Sequence, residues 1–345
     1  MSIPAMRETL PIITTPNRLL SVAPMMTHTD RHFRFFLRLL SRHVMLYTEM
    51  VTTGALIHGD AVSHIAHHQD EYPVGLQLGG SNPAELAHCA RLGEAAGYQE
   101  INLNVGCPSD RVKSGAFGAC LMAHPELVAE CVHAMQAGLS IPVTVKSRIG
   151  IDDKDSYEEL AEFISRVAEA GCRTFIIHAR KAWLQGLSPR QNREIPPLQY
   201  ETVHRVKRDF PHLQIIINGG VTTLEQAADQ LQRVDGVMIG RAICSNPYLL
   251  AEADRRFYGD DHEVPDRFTV LNGFMDYIGR QQGCGVPFSR MVRNILGLFQ
   301  GQPGARAFRR FLSESMYRAD ADITILRQAQ EIIIKASTQA MTAPI

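Results

Sequence analysis

One cysteine lies where a thiol could act as an acid or a nucleophile. The alternating apolar pattern of residues 101–105 predicts a β-strand, and Gly106 and Pro108 predict that the strand ends in a turn. This turn would display Cys107 at the carboxyl end of the strand. Most cysteines are small buried hydrophobes. The turn favours instead a role in proton transfer or nucleophilic attack.

Composition limits the class of protein. The chain has 345 residues, of which 45% are hydrophobic and 21% charged, so it can bury a large core. A net charge of -1 argues against a uniformly basic nucleic-acid binder, but not against a local basic patch. Seven cysteines with no CxxC pair indicate neither disulfides nor zinc, and we expect a reduced, cytoplasmic protein. No apolar run approaches the roughly 18 residues of a membrane span.

Eight short β-rich stretches alternate with helical patterns. Their residues are apolar on both faces, as is typical of parallel strands covered by helices. Helix starts are indicated at Asn82, Ser156 and Thr223, and stops at Gly97 and Gly171. Eight such units favour an α/β fold of the (β/α)₈ TIM-barrel type over a doubly wound sheet. The predicted strands are residues 18–26, 44–51, 74–79, 100–106, 142–149, 173–180, 214–219 and 236–241.

A helical domain is predicted to follow the barrel. Beyond about residue 256 the strand pattern disappears, and apolar residues recur at spacings of three and four, as on one face of a helix. We therefore expect an N-terminal extension over 1–17, a barrel over 18–258 and a helical domain over 263–340. The spacing is clearest at Phe268, Leu271, Met275 and Ile278.

Active sites of barrels lie at the carboxyl ends of the strands. Cations, amides and glycines dominate there, without paired carboxylates or a His/Asp/Glu cluster, which weighs against a glycosidase and against a metal site. The residues at these ends are Pro24, Met25, Met26, Glu49, Gln77, Asn104, Cys107, Lys146, Arg148, His178, Arg180, Asn218, Gly219, Gly220, Gly240 and Arg241.

Two glycine turns predict a phosphate site. Gly219-Gly220 and Gly240 end the last two strands, where barrels commonly bind phosphate through backbone N–H groups. Arg241 adds a charged partner. Glycine in either turn alone could be needed only for the backbone conformation of the turn, but both turns together favour a bound phosphate.

Other residues at the mouth suit a flat ring. Lys146 would reach inward towards an anionic ligand or, alternatively, a carboxylate such as Glu49. His178 could be a ligand residue or a satisfied core residue. With the amide of Gln77 and the apolar residues 24–26, these groups describe FMN. Because no GxGxxG motif is present, a nicotinamide donor would have to visit the same mouth.

Two basic stretches could flank this mouth. Residues 286–318 contain six arginines and one acid, and the long loop 180–199 adds further cations. Such stretches are often merely solvated, but two of them around one mouth suggest a polyanionic substrate. The arginines concerned are Arg306, Arg309 and Arg310, which would share a helix face, and Arg190 and Arg193 in the loop.

Six motifs together resemble the tRNA-dihydrouridine synthases, and residues 180–197 and 297–306 resemble the A subfamily. The motifs are Ala23-Pro-Met-Met26, Asn104-Val-Gly-Cys-Pro-Ser109, Lys146-Ser-Arg148, His178-Ala-Arg180, Asn218-Gly-Gly220 and Gly240-Arg241.

The resemblance implies an FMN-containing barrel with a C-terminal helical domain that uses NADPH to reduce uridines in the tRNA D-loop, namely U20 and U20a for the A subfamily. Hydride would pass from flavin N5 to uracil C6, and Cys107 would deliver a proton to C5. FMN would be held by Pro24, Met25, Met26, Gln77, Lys146, His178, Asn218, Gly219, Gly220, Gly240 and Arg241. The tRNA would be met by Asn104, Arg190, Arg193, Arg306 and Arg309.

Two other functions stay open. One is a flavin barrel that acts on a free pyrimidine or other small enone, as dihydroorotate dehydrogenases do. The other is a non-catalytic tRNA-binding protein that retains flavin as structure. We expect a monomer with no membrane and no metal partner. The sequence leaves open the choice of D-loop uridines, the need for prior modifications and the preference for NADPH over NADH.

Overall fold

A computed structural model describes residues 16–109 and 115–342. Most of the predicted N-terminal extension lies outside the described residues. Within them, short parallel strands form a single ring. The strands are β1 (Leu20–Val22), β2 (Leu46–Tyr47), β3 (Val51–Thr52), β4 (Val74–Gly79), β5 (Glu100–Val105), β6 (Val143–Arg148), β7 (Thr174–His178), β8 (Gln214–Asn218) and β9 (Gly236–Ile239).

The strands pair in parallel in the order β1-β9-β8-β7-β6-β5-β4-β2, and β3 also pairs with β4. A bridge between Ser21 and Met45 joins β1 to the chain before β2. There the Val22 N–H donates to the Met45 carbonyl at 2.9 Å, and the Met45 N–H donates to the Leu20 carbonyl at 3.0 Å. These bonds close the ring, and the predicted TIM barrel is confirmed.

One predicted strand is wrong in detail. The stretch 44–51 is not one strand but two, β2 and β3, with a break at Thr48. The strand breaks because the side-chain hydroxyl of Thr48 takes the place of a backbone carbonyl in the hydrogen-bond ladder with β4. Thr48 Oγ1 accepts the hydrogen bond of the Gln77 N–H at 3.0 Å and donates to the carbonyl of Glu49 at 2.7 Å.

Helices cover the outside of the ring, and the predicted helix ends are confirmed. Asn82, Ser156 and Thr223 each accept hydrogen bonds from the first turn of a helix. Gly97 and Gly171 follow two helices with φ of 98° and 109°. The helices are α1 (Arg31–Arg38), α2 (Thr53–His58), α3 (Ala61–His64), α4 (Pro83–Ala95), α5 (Pro125–Gln136), α6 (Tyr157–Glu169), α7 (Tyr200–Asp209), α8 (Leu224–Leu231), α9 (Arg241–Ser245), α10 (Ala253–Phe257), α11 (Arg267–Gly283), α12 (Phe288–Val292), α13 (Ala305–Ser315) and α14 (Ile323–Thr342).

The helical C-terminal region is confirmed and packs on α1. Tyr277 of α11 stacks on Phe35 with ring centroids 4.0 Å apart. Asp30, which caps α1, accepts a hydrogen bond from Arg293 at 2.7 Å. Of the four predicted core residues, Leu271, Met275 and Ile278 are buried and Phe268 is half-buried. The domain limits at 258 and 263 stay a prediction.

The barrel has two separate apolar layers. A large cluster fills the space between the strands and the surrounding helices. A small cluster lies inside the ring and consists of Ala23, Met45, Tyr47, Ile176, Ile216 and Met238. Within the described ranges, no helix is both long and apolar enough to cross a bilayer.

Candidate active site

A cavity of about 1200 Å³ opens at the carboxyl ends of the strands. Of the residues that the family resemblance assigns to the site, all except Arg190 and Arg306 line it. They are Pro24, Met25, Met26, Gln77, Asn104, Cys107, Lys146, His178, Arg193, Asn218, Gly219, Gly220, Gly240, Arg241 and Arg309. The structure therefore brings together residues that are spread over most of the chain.

The turn after β5 holds Cys107 at the cavity wall. Asn104 Oδ1 accepts hydrogen bonds from the N–H groups of Gly106 and Cys107 at 3.1 and 3.0 Å. Arg148 Nε donates to the carbonyl of Gly106 at 3.2 Å, which ties the turn to β6. The thiol is half-buried and its Sγ lies 3.4 Å from Ser109 Oγ. The turn thus fixes a thiol that still faces the cavity.

Lys146 is a half-buried cation that has no carboxylate partner among the described residues. Among the described residues, the hydrogen-bond partner of its Nζ is Asn218 Oδ1 at 3.1 Å. Glu49, the alternative partner, accepts the backbone N–H of Thr27 instead. Burial, reinforced by the nearby Arg148, lowers the pKa of Lys146 to about 7. An anion bound in the cavity would restore the charged form.

His178 presents a ring nitrogen that is unpaired among the described residues. Its Nδ1 is buried without a hydrogen bond in the part of the chain that the structure describes. Burial, followed by the charges of Arg148 and Lys146, lowers the pKa of His178 well below its usual value, so the ring is neutral. Because buried polar atoms in folded proteins are nearly always paired, this ring is suited to receive a ligand.

The turn after β8 requires glycine. Gly219 and Gly220 have φ of 114° and 76°, in the left-handed region. A Cβ on Gly220 would lie 2.5 Å from Leu198 Cδ1 and 2.6 Å from the Tyr200 hydroxyl oxygen. That hydroxyl donates to the carbonyl of Gly219 at 2.8 Å. The backbone can therefore face the cavity closely at this point.

Glu194, an acid in the loop after β7 that the sequence analysis missed, pairs with Arg190 of the same loop and with Arg241 after β9. Glu194 accepts hydrogen bonds from Arg241 Nη1 at 2.8 Å and Arg190 Nε at 3.4 Å. The bond from Arg241 is the main reason that the pKa of Glu194 is lowered. Arg193 lines the cavity, whereas Arg190 is largely exposed at the rim. The i, i+4 spacing of Arg190 and Glu194 is the one sequence signal that could have revealed this pair.

The helical region forms one wall of the cavity. Arg309 of α13 lines it and donates to Gln300 Oε1 at 2.9 Å. Arg306 and Arg310 are exposed on the same helix. Gln300 and Leu296, which the sequence analysis did not single out, also line this wall. Their signal was weak because neither residue type suggests chemistry.

A cluster of three polar side chains lies away from the mouth, where the chain segment before β2 meets the end of the barrel sequence. His43, Asp254 and Asp260 bring their ligand atoms within 4.8 Å of one another. Hydrogen bonds account for the arrangement. Asp254 accepts the N–H of Arg42 at 2.5 Å and the hydroxyl of Ser41, and Asp260 accepts from His43 Nε2 at 2.8 Å. The absence of a metal from this protein stays a prediction.

Comparison with known proteins adds independent evidence. The family model described as dihydrouridine synthase (Dus) matches residues 21–336. A relative from Vibrio cholerae serotype O1, named tRNA-dihydrouridine(20/20a) synthase, is 59% identical over 311 residues, which are 90% of this chain and 95% of the relative. Relatives of the same name from Salmonella typhi and Escherichia coli K12 are each 58% identical over 314 residues. These cover 91% of this chain and, respectively, 94% and 91% of the relatives.

The β8 turn can be tested with two glycine variants. Gly220→Ala adds both left-handed strain and a clash, so we expect the free energy of unfolding to fall by about 2–4 kcal/mol. Gly186→Ala is the matched control, because Gly186 has φ of 81° but nothing within 4 Å of the added Cβ. For Gly186→Ala we expect the free energy of unfolding to fall by about 1 kcal/mol. Urea unfolding of both variants measures the difference. Equal losses would contradict the close packing at Gly220.

Proposed function

Since this chain belongs to the dihydrouridine synthase family, we propose that it reduces uridines 20 and 20a of tRNA to 5,6-dihydrouridine. The observation that carries the proposal is the Cys107 thiol, fixed on its turn in the same cavity as the half-buried Lys146, which has no carboxylate partner in the part of the chain that the structure describes. Relatives that share more than half of their residues with this chain carry this activity in their names.

The cavity fits FMN on observations of its own residues. Lys146 bonds to an amide oxygen but to no carboxylate among the described residues, and the buried Nδ1 of His178 has no hydrogen bond there. The turn at Gly219 and Gly220 lets a phosphate approach the backbone. Bound FMN, with NADPH as reductant, would supply the hydride that C6 of the uracil receives. The predicted cofactor residues would hold it, with Gln77 and residues 24–26 at the ring.

The chain's own chemistry at the substrate is proton delivery. When C6 gains a hydride, charge accumulates on C5, and a donor must lie beside it. Cys107 fits this role because Asn104 fixes its turn and the thiol remains open to the cavity. The uracil would have to leave its stack to reach this depth.

The rim of the cavity suits a polyanion. Arg193 and Arg309 line the cavity, and Arg190 and Arg306 extend the positive surface outward. We infer that these side chains bind tRNA phosphates, with the barrel (18–258) holding the flavin and the helical domain (263–340) holding the tRNA. We expect the protein to act as a monomer. We expect the protein to act in the cytoplasm, where its substrate is found.

The proposal is tested under anaerobic conditions. The flavin of the purified protein is reduced with NADPH, excess reductant is removed, and its absorbance is followed after addition of tRNA that lacks dihydrouridine. We expect rapid reoxidation by tRNA but not by free uridine or orotate. Reoxidation by orotate alone would favour a small-enone reductase, and none by any of them would favour a non-catalytic tRNA-binding protein.

Removal of the thiol should stop proton delivery but spare the cofactor. Cys107→Ala and Cys107→Ser are expected to keep bound flavin and its reduction by NADPH, while turnover with tRNA falls by about 10² or more. Cys120→Ser is a suitable control, because Cys120 is half-buried and its Sγ donates to the nearby carbonyl of Phe117. Full turnover in Cys107→Ala would disprove the role.

The lowered pKa of Lys146 predicts a pH dependence of FMN binding. An anionic ligand favours the charged ammonium, so binding takes up a proton at pH values above about 7. The affinity of the apoprotein for FMN should therefore fall as pH rises from about 7 to 9, by up to about tenfold per pH unit. Flavin fluorescence quenching measures it. Lys146→Met should flatten the profile and Lys181→Met, outside the cavity, should not. Parallel profiles would contradict the assignment.

The arginines of α13 can be tested through salt. Arg306→Ala with Arg309→Ala should weaken tRNA binding and lower the slope of log affinity against log salt by about one per arginine. Flavin reduction by NADPH should survive. Arg318→Ala is the control, since Arg318 already pairs with Asp320. An unchanged slope in the double variant would exclude these residues from the tRNA interface.

A further inference from the structure

A continuous chain of side-chain hydrogen bonds runs up the inside of the barrel. It begins at Glu100, at the base of β5. Glu100 accepts the hydroxyl of Thr144, and Thr144 Oγ1 accepts from Asn102 Nδ2 at 2.8 Å. Asn102 Oδ1 accepts from Gln77 Nε2 at 2.7 Å, and Gln77 Oε1 accepts from Asn104 Nδ2 at 2.8 Å. We call these five residues the barrel chain.

Both ends of the barrel chain have a fixed polarity. At the lower end, the carboxylate of Glu100 can only accept, so the Thr144 hydroxyl must donate to it. At the upper end, the N–H groups of Gly106 and Cys107 can only donate, so Asn104 must present its oxygen to them. The amides between the two ends then have one orientation in which every bond is made.

The lower end is itself anchored. Arg18 Nε lies 2.6 Å from Glu100 Oε2, and the Tyr47 hydroxyl donates to Glu100 Oε1 at 2.8 Å. Both side chains are buried. Every member of the barrel chain is also buried, the most exposed being Asn104 at 9%. Water therefore has little access to replace a lost partner, and a broken link leaves unpaired polar groups.

We propose that Glu100, Thr144 and Asn102 are positioning residues for the reaction at the cavity. They lie below the cavity wall, yet they set which atoms Gln77 and Asn104 present at the mouth. Through Asn104 Oδ1 they hold the turn that carries Cys107. A fixed turn keeps the proton donor at one distance from the reacting carbon, which is a contribution to rate rather than to binding. This role in catalysis rests on the proposed function.

The test removes one link. Thr144→Val keeps the shape of the side chain but can neither donate to Glu100 nor accept from Asn102. Thr144→Ser restores the hydroxyl, and Thr144→Ala provides a second variant without it if the valine protein fails to fold. Ser147→Ala is the matched control, because Ser147 lies buried on the same strand and its Oγ has no hydrogen-bond partner among the described residues.

The first readout does not depend on activity. Hydrogen–deuterium exchange of the peptide that spans residues 104–109 reports the N–H groups of Gly106 and Cys107. We expect at least about tenfold faster exchange in Thr144→Val, and exchange close to that of the unmodified protein in Thr144→Ser and Ser147→Ala.

The second readout is the single-turnover rate of flavin reoxidation by tRNA. It should fall about tenfold in Thr144→Val, while the dissociation constant for tRNA stays within about twofold because the rim is untouched. Unchanged exchange and rate in folded Thr144→Val would overturn the proposal. So would a Thr144→Ser protein as defective as the valine variant, since packing would then be the cause. If tRNA does not reoxidise the flavin of the unmodified protein, the proposed function is wrong. Hydrogen–deuterium exchange would then still show whether Thr144 holds the turn that carries Cys107.

Discussion

The interaction on which the site depends is the buried ion pair between Arg18 and Glu100. Closing parallel strands into a ring seals its interior, so a charge placed there must be compensated within the ring. Arg18 binds Oε2 of the Glu100 carboxylate, and the hydroxyls of Tyr47 and Thr144 both donate to Oε1. Because the Glu100 carboxylate at the base of the barrel is fully hydrogen-bonded, the interior above it can hold polar side chains instead of apolar ones. The amides that reach the mouth are the upper end of that arrangement.

The mouth has the opposite electrostatic character. The half-buried Lys146 has no carboxylate partner within the described ranges, and Arg148 lies beside it with a pKa lowered by burial to about 10. Arg148 nevertheless satisfies its guanidinium with the carbonyls of Gly106, Lys181 and Asn192. It therefore serves the architecture of the mouth, while Lys146 keeps its charge available. A lysine held by an amide oxygen, beside an arginine tied to backbone carbonyls, is suited to an anionic ligand of fixed orientation.

Much of this fold could be predicted from the sequence because its signals are local. Apolar runs marked the strands, and the cap residues Asn82 and Ser156 marked helix starts through hydrogen bonds to their own first turns. The mouth residues followed from one rule about barrels, that strand ends converge.

What could not be predicted depends on contacts between distant residues. The break at Thr48 arises because its hydroxyl meets the backbone of Gln77 on another strand. The link between Asn102 and Thr144 joins two polar residues whose inward direction depends on the register of β5 and β6. Glu194 meets Arg241 across 47 positions of the sequence. Periodicity and composition carry no information on such pairs.

The packing of α1 has a consequence for the width of the entrance. Asp30 caps α1 and bonds to Arg293, only three residues before Leu296 on the cavity wall. The helix itself contributes no residue to that wall. It acts as a spacer, setting the separation between the strand ends and the opposing helical wall from outside the opening. The width of the entrance therefore depends in part on packing that lies outside the cavity.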